Sequence, residues 1–219
     1  AGHRAHAVTL TGCGERGHLR HPGITLDTHI TDVLAALETE EMARCILVVH
    51  SYAGMLGTAV ADRQPERLRH LVYVDAVLPK PGESWSSTHA SATRRQRLAG
   101  AAASPDFSFP PPDPSVFGLR TEAYDWVRRR QTPHPGHTYE TPLAFDPARV
   151  ASVPRTFIDC TAPKLATIDV SRQRVRDPDF WGGAWQAGAQ LVELATGHHP
   201  MISEPAAFHR LLLALADTQ

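Results

Sequence analysis

Short, nearly all-apolar runs alternate along the chain with stretches in which apolar residues return every three or four positions. Arg4–Leu10 (RAHAVTL), Cys45–Val49 (CILVV), Leu71–Val74 (LVYV), Thr156–Cys160 (TFIDC) and Gln190–Leu194 (QLVEL) have the length and β-branched content of strands. Between the first two, Ile30, Val33, Leu34 and Leu37 recur at helical spacing behind Asp27 and Thr28, residues suited to a helix start. Apolar strands without polar alternation need cover on both faces, which a parallel sheet flanked by helices supplies. The pattern therefore predicts an α/β fold, with a mostly parallel sheet and a single domain over residues 1–219.

One stretch breaks the alternation. Pro79 to Pro154 carries no convincing strand, clusters prolines at Pro110, Pro111 and Pro112, and holds Arg/Ala-rich helical pieces. An insertion of this length between sheet strands is expected to form a helical cap at the sheet edge. Among its aromatic residues, Trp85 and Trp126 are the candidates for substrate contact, and the others are expected mainly to pack the insertion onto the body. Ala1-Gly2-His3 resembles the glycine end of a helix running into a strand, so an earlier strand and helix are expected upstream.

Composition narrows the partners. The 219 residues carry 22 Lys+Arg against 23 Asp+Glu, so no global field favours nucleic acid or an anionic membrane. No apolar run approaches the roughly 20 residues of a membrane span. Cys13, Cys45 and Cys160 are odd in number and widely spaced, which fits a reducing, cytoplasmic setting better than a disulfide or zinc framework. The 13 histidines are scattered without metal-ligand spacing on a helix, so no metal is expected.

The chemistry concentrates in two segments. Ile46-Leu-Val-Val-His-Ser-Tyr-Ala-Gly54 is a strand leading directly into small residues and a helix, the setting of a G-x-S-x-G elbow. Ser51 at its tip is the candidate nucleophile, and the Tyr52 backbone N–H is placed to support an oxyanion. Val49 and Ala53 stand where the pattern has glycine, and Val49 brings a branched side chain to a tight strand-helix contact. Toward the carboxyl end, Leu191-Val-Glu-Leu-Ala-Thr-Gly-His-His-Pro is a strand, a turn and a histidine before a final helix. His198 in that loop is the candidate general base, and His199 is read as its neighbour. Neither segment alone excludes a helix-capping serine or an idle loop histidine, but they occur together and in the right order.

Taken along the chain, TLTGCGERGHL with ITLDTHITDVLAALE, LVVHSYAGM, PERLRHLVYVDAVLPKPGES, RRRQTPHPGHTYETPL, VPRTFIDCT and ATGHHPMISEP resemble, in order, the bacterial esterase group of α/β-hydrolases related to plant methylesterases and hydroxynitrile lyases. The resemblance implies a Ser-His-acid hydrolase of a small to medium hydrophobic ester, lactone or thioester that needs no cofactor. Its partner would be a small-molecule substrate, and unpaired sheet edges permit a homodimer. The group's acid is expected two residues beyond the threonine of TFIDCT, where this chain has Pro163. Asp75, at a strand's carboxyl end, is the preferred replacement, and Asp169 is the alternative. The lyases resemble a version with lysine directly after the histidine, whereas this chain has His199, which disfavours cyanohydrin cleavage. The alternatives are a non-hydrolytic lyase or cyclase of a biosynthetic pathway, and a ligand-binding protein with a decayed triad. The Thr11–Arg16 loop is expected beside the site, with Cys13 structural rather than nucleophilic.

Overall fold

The computed structural model describes residues 2–217; Ala1, which opens the turn read from Ala1-Gly2-His3, lies outside it. In chain order the main elements are α1 (Leu26–Thr39), β1 (Cys45–His50), α2 (Gly54–Arg63), β2 (Leu68–Val74), α3 (Ser91–Ala102), β3 (Ser108–Phe109), α4 (Thr121–Arg128), β4 (His134–Pro135), α5 (His137–Glu140), α6 (Pro147–Ala151), β5 (Arg155–Cys160), α7 (Asp169–Arg174), β6 (Ala189–Leu194), α8 (Pro200–Ser203) and α9 (Pro205–Asp217). Thr25, rather than Asp27 or Thr28, caps α1, in a capping box with the Thr28 side chain.

The four longer strands form one parallel sheet in the order β1-β2-β5-β6. Side chains alternate between its faces with period two. Val49, Leu71, Tyr73 and Phe157 enter the large core shared with α1 and α2, while Ile46, Val72, Val74 and Ile158 meet Phe208, Leu211, Leu212 and Leu215 of α9. Every residue of the central strand β5 is buried, which is why its sequence lacks polar alternation. Among the described residues no helix is long and apolar enough to cross a membrane.

Two sequence expectations are corrected. Residues 4–10 form no strand: they pair with no neighbour, and residues 3–8 are exposed. RAHAVTL offers only Val8 and Leu10 as sizeable apolar side chains, too little surface to hold a sheet edge. The 79–154 insertion does contain strands, the two-residue pair β3 and β4, which are antiparallel and too short to leave a period in the sequence.

The structure also accounts for Val49. A Cβ on Gly57 would lie 2.9 Å from both Val49 γ-carbons, so the glycine that permits close strand-helix packing has moved from the strand onto α2. Gly57→Ala is expected to cost about 1–3 kcal/mol of stability through overpacking. Chemical denaturation should show that cost shrinking by about 1 kcal/mol or more in a Val49→Ala background, because the two sites share one contact.

Candidate active site

Strand β1 ends at His50, and the chain turns at once through Ser51 into the helical residues Ser51–Ala53 and α2. Ser51 holds φ +56°, a left-handed conformation that a side chain adopts only under strain, and this lifts its hydroxyl off the strand end. Two contacts fix the turn. The Val77 N–H donates to the Ser51 carbonyl at 2.9 Å, and a Cβ on Gly54 would sit 2.0 Å from the Val77 carbonyl oxygen, so only glycine fits there. Tyr52 lies in the first turn, where a backbone N–H has no intrahelical acceptor and faces outward.

Asp75 follows β2 directly, fully buried and also at positive φ, +41°. His198 stands in the loop between β6 and α8 with only 1% of its surface exposed. Its Nδ1–H donates to Asp75 Oδ2 at 2.7 Å, and its Nε2 accepts from the Ser51 hydroxyl at 2.9 Å. A carboxylate can only accept, which sets the tautomer and leaves Nε2 as the basic nitrogen. From behind, the His50 Nε2–H donates to the His198 carbonyl at 2.7 Å, and the Phe117 ring stacks on the imidazole at 5.4 Å between centroids.

Arg172 of α7 backs this line of groups. Its Nε donates to Asp159 Oδ1 at 2.6 Å, one terminal nitrogen to Leu165 O and Asp169 Oδ1, and the other to Asp75 Oδ1 at 2.6 Å and Cys160 O. All five guanidinium N–H groups are thereby used. Burial pushes the Asp75 carboxyl up, and the Arg172 charge pulls it back. Burial, His199 and Arg172 all lower the His198 pKa, which keeps the imidazole neutral, with the Nε2 lone pair unprotonated.

Ser51, Tyr52 and His198 open onto a cavity of about 730 Å³ whose far side comes from the insertion, including Trp85, Arg97, Phe109, Phe117 and His134. Trp85 is buried there, its ring 4.8 Å from that of Tyr52. Trp126 is elsewhere: it is 47% exposed on α4 under Arg130, and the expectation that it touches substrate is corrected. Its neighbour Val127 is the buried residue, and adjacent helical positions point about 100° apart. Asp169 is turned to Arg172 and half exposed, so it does not reach His198. Pro163 packs against Gly118 and Gly197 at the position where the resemblance looks for the acid.

The Thr11–Arg16 loop contributes nothing to the cavity wall. Asp32 of α1 holds it through Thr11 and Arg16, and the Thr11 carbonyl accepts from His29 Nε2–H at 2.9 Å. The other His29 nitrogen accepts from the Tyr52 hydroxyl at 3.2 Å, so the loop braces Tyr52 from behind. Burial pushes the Cys13 thiol up to about 11, which leaves it un-ionised and inert. His50, His198 and His199 bring nitrogens within 4.8 Å of one another, but both ring nitrogens of His198 are already engaged by Asp75 and Ser51.

Residues 1–211 match the alpha/beta hydrolase family. The chain belongs to that family. It is 36% identical over 223 residues to a carbendazim hydrolyzing esterase of Nocardioides sp. (strain SG-4G), covering 98% of this chain and 89% of that protein. It is 26% identical over 235 residues to a pyrethroid hydrolase of Sphingobium wenxiniae, covering 99% and 78%. A methylesterase protein from Arabidopsis shares the fold, with a TM-score of 0.69 at 18% identity over 96% of this chain and 85% of its own.

The cavity of this alpha/beta hydrolase and the groups behind it include residues that pattern reading did not single out. Arg172 and Arg97 look like surface arginines in the sequence, and only tertiary packing buries the first and half-buries the second in the cavity wall. His134 lies inside RRRQTPHPGHTYETPL, so the resemblance marked its segment without marking its role. Its ring stacks on Phe109 and meets Tyr52 edge-on, and burial holds its pKa near about 3.

Proposed function

We propose that this ester-cleaving serine hydrolase works through Ser51 as nucleophile, His198 as general base and acid, and Asp75 as the acid that orients the imidazole. The observation that carries this reading is the unbroken line Ser51 Oγ, His198 Nε2, His198 Nδ1, Asp75 Oδ2, with steps of 2.9 and 2.7 Å. Ser51 Oγ attacks the carbonyl carbon while His198 Nε2 takes its proton, and the oxyanion forms against the Tyr52 N–H. His198 then returns the proton to the leaving alcohol, giving an acyl-serine. Water, deprotonated by the same nitrogen, releases the acid and restores Ser51. No step calls for a cofactor.

The substrate class that suits the cavity is a small to medium hydrophobic ester, lactone or thioester: the volume is that of a drug-sized site, and Trp85, Phe109 and Phe117 furnish apolar wall. The 36% identical relative makes carbendazim a first compound to assay. A fluorophosphonate probe followed by intact-mass measurement tests the reading. One adduct per chain, absent from Ser51→Ala, is expected. Failure to label would favour the lyase or cyclase alternative, which forms no acyl-enzyme.

A further inference from the structure

Arg97 of α3 lines the cavity together with Ser51 and His198. Its guanidinium carbon lies 4.8 Å over the Trp85 ring and 5.3 Å over each of Phe109 and Tyr139. Ring faces favour a cation, yet they give its in-plane N–H groups no oxygen to bind. Arg94, on the same helix, donates to Glu140 at 2.6 Å, whereas Arg97 has no ion pair or hydrogen bond among the described residues. Burial lowers its pKa, as expected of a cation drawn out of water without a counter-ion.

The rest of the wall supplies no compensation. None of the described residues lining the cavity is a carboxylate, and burial holds His134 and His198 neutral, so Arg97 is the one charge facing the substrate. Trp85, on which the guanidinium rests, packs in turn on Tyr52 beside Ser51, so the cation and the nucleophile share one wall. A partly desolvated guanidinium with free donors is matched by the two oxygens of a carboxylate.

We infer that the cavity takes esters that also carry a carboxylate, with Arg97 binding that anion while Ser51 attacks the ester carbonyl. This rests on the hydrolase reading above and narrows its substrate. Hydrolysis of such a half-ester consumes one water and yields an alcohol and a second carboxylic acid, which ionises with release of one proton. Where the charge sits on the alcohol portion, the products are an acid and a carboxylated alcohol.

Two matched pairs test the inference: monophenyl adipate against phenyl hexanoate, and 4-carboxyphenyl butyrate against phenyl butyrate. In at least one pair the anionic member should have a kcat/KM tenfold or more above its neutral partner, mostly through KM. Arg97→Gln should bring that ratio to about one, and Arg97→Lys should keep part of it. A ratio within one protein is independent of how much of it is folded. Equal ratios in the wild type, or a preference that survives Arg97→Gln, would overturn the inference. Isothermal titration of 4-carboxyphenyl butyrate and phenyl butyrate into Ser51→Ala, with and without Arg97→Gln, reads the anion site without turnover. If none of the four esters is hydrolysed, the hydrolase reading of the pocket fails, and equal binding of the two titrated esters to Ser51→Ala would then overturn the anion site as well.

Discussion

Ser51→Ala is expected to lower kcat by about 10⁶-fold, the scale on which a serine triad loses its nucleophile as a working unit. The loss should fall on kcat, because the aromatic wall and Arg97 remain to bind substrate. A second variant separates chemistry from conformation. Ser51 sits at φ +56°, and alanine keeps the strained backbone whereas glycine adopts it freely. Both variants lose the hydroxyl bond to His198, so the comparison between them isolates the turn. Strain of about 1–3 kcal/mol, less the extra unfolded-state entropy of glycine, leaves Ser51→Gly about 1 kcal/mol more stable than Ser51→Ala. In a chain of this size that is a rise in Tm of about 2–4 °C, read by calorimetry. Equal melting temperatures would show that the turn is not strained by its side chain.

Much of this arrangement was legible because sheet strands and the elbow announce themselves locally. LVYV and TFIDC lie in strands buried on both faces, CILVV forms the sheet edge with Val48 exposed, and the structure extends each run by only a few residues. Ser51, Asp75 and His198 share a property that a sequence displays: each stands at or just beyond the carboxyl end of a parallel strand, the edge where such folds place their sites. What stayed hidden has no local signature. RAHAVTL reads as a strand by its residue types, but strand formation also needs a partner and buried area, and it has neither. Trp126 and Trp85 are the same residue type in the same insertion, and a turn of helix decides that one faces water and the other the cavity. Arg172 stands in DVSRQRVR among other arginines, and nothing within that run distinguishes the one that is buried.

Arg172 carries the other large effect, because it is the counter-charge of two fully buried carboxylates, Asp75 and Asp159. Arg176 also pairs with Asp159, at 2.8 Å, but His198 is the other side chain bonded to Asp75. Arg172→Met should therefore cost about 3–5 kcal/mol of stability, the range for removing one member of a buried ion pair. Arg172→Lys should cost less but not nothing, since a point charge with three donors cannot replace five N–H groups fixed in a plane. The same substitutions should move the pH dependence of the reaction. The active form of the Asp75–His198 pair has an ionised carboxylate and a neutral imidazole, and one added proton disables the base. The Arg172 charge lowers the pKa of both members, so it opposes that proton wherever it settles. Removing the charge must then shift the acid limb of kcat/KM toward higher pH, by about 1–3 units on the scale of a neighbouring charge. Arg172→Lys, which keeps the charge, should leave the limb close to its wild-type position. A loss of packing alone would lower the plateau without moving the limb, so a limb that stays fixed in Arg172→Met while the plateau falls would reduce Arg172 to a structural prop.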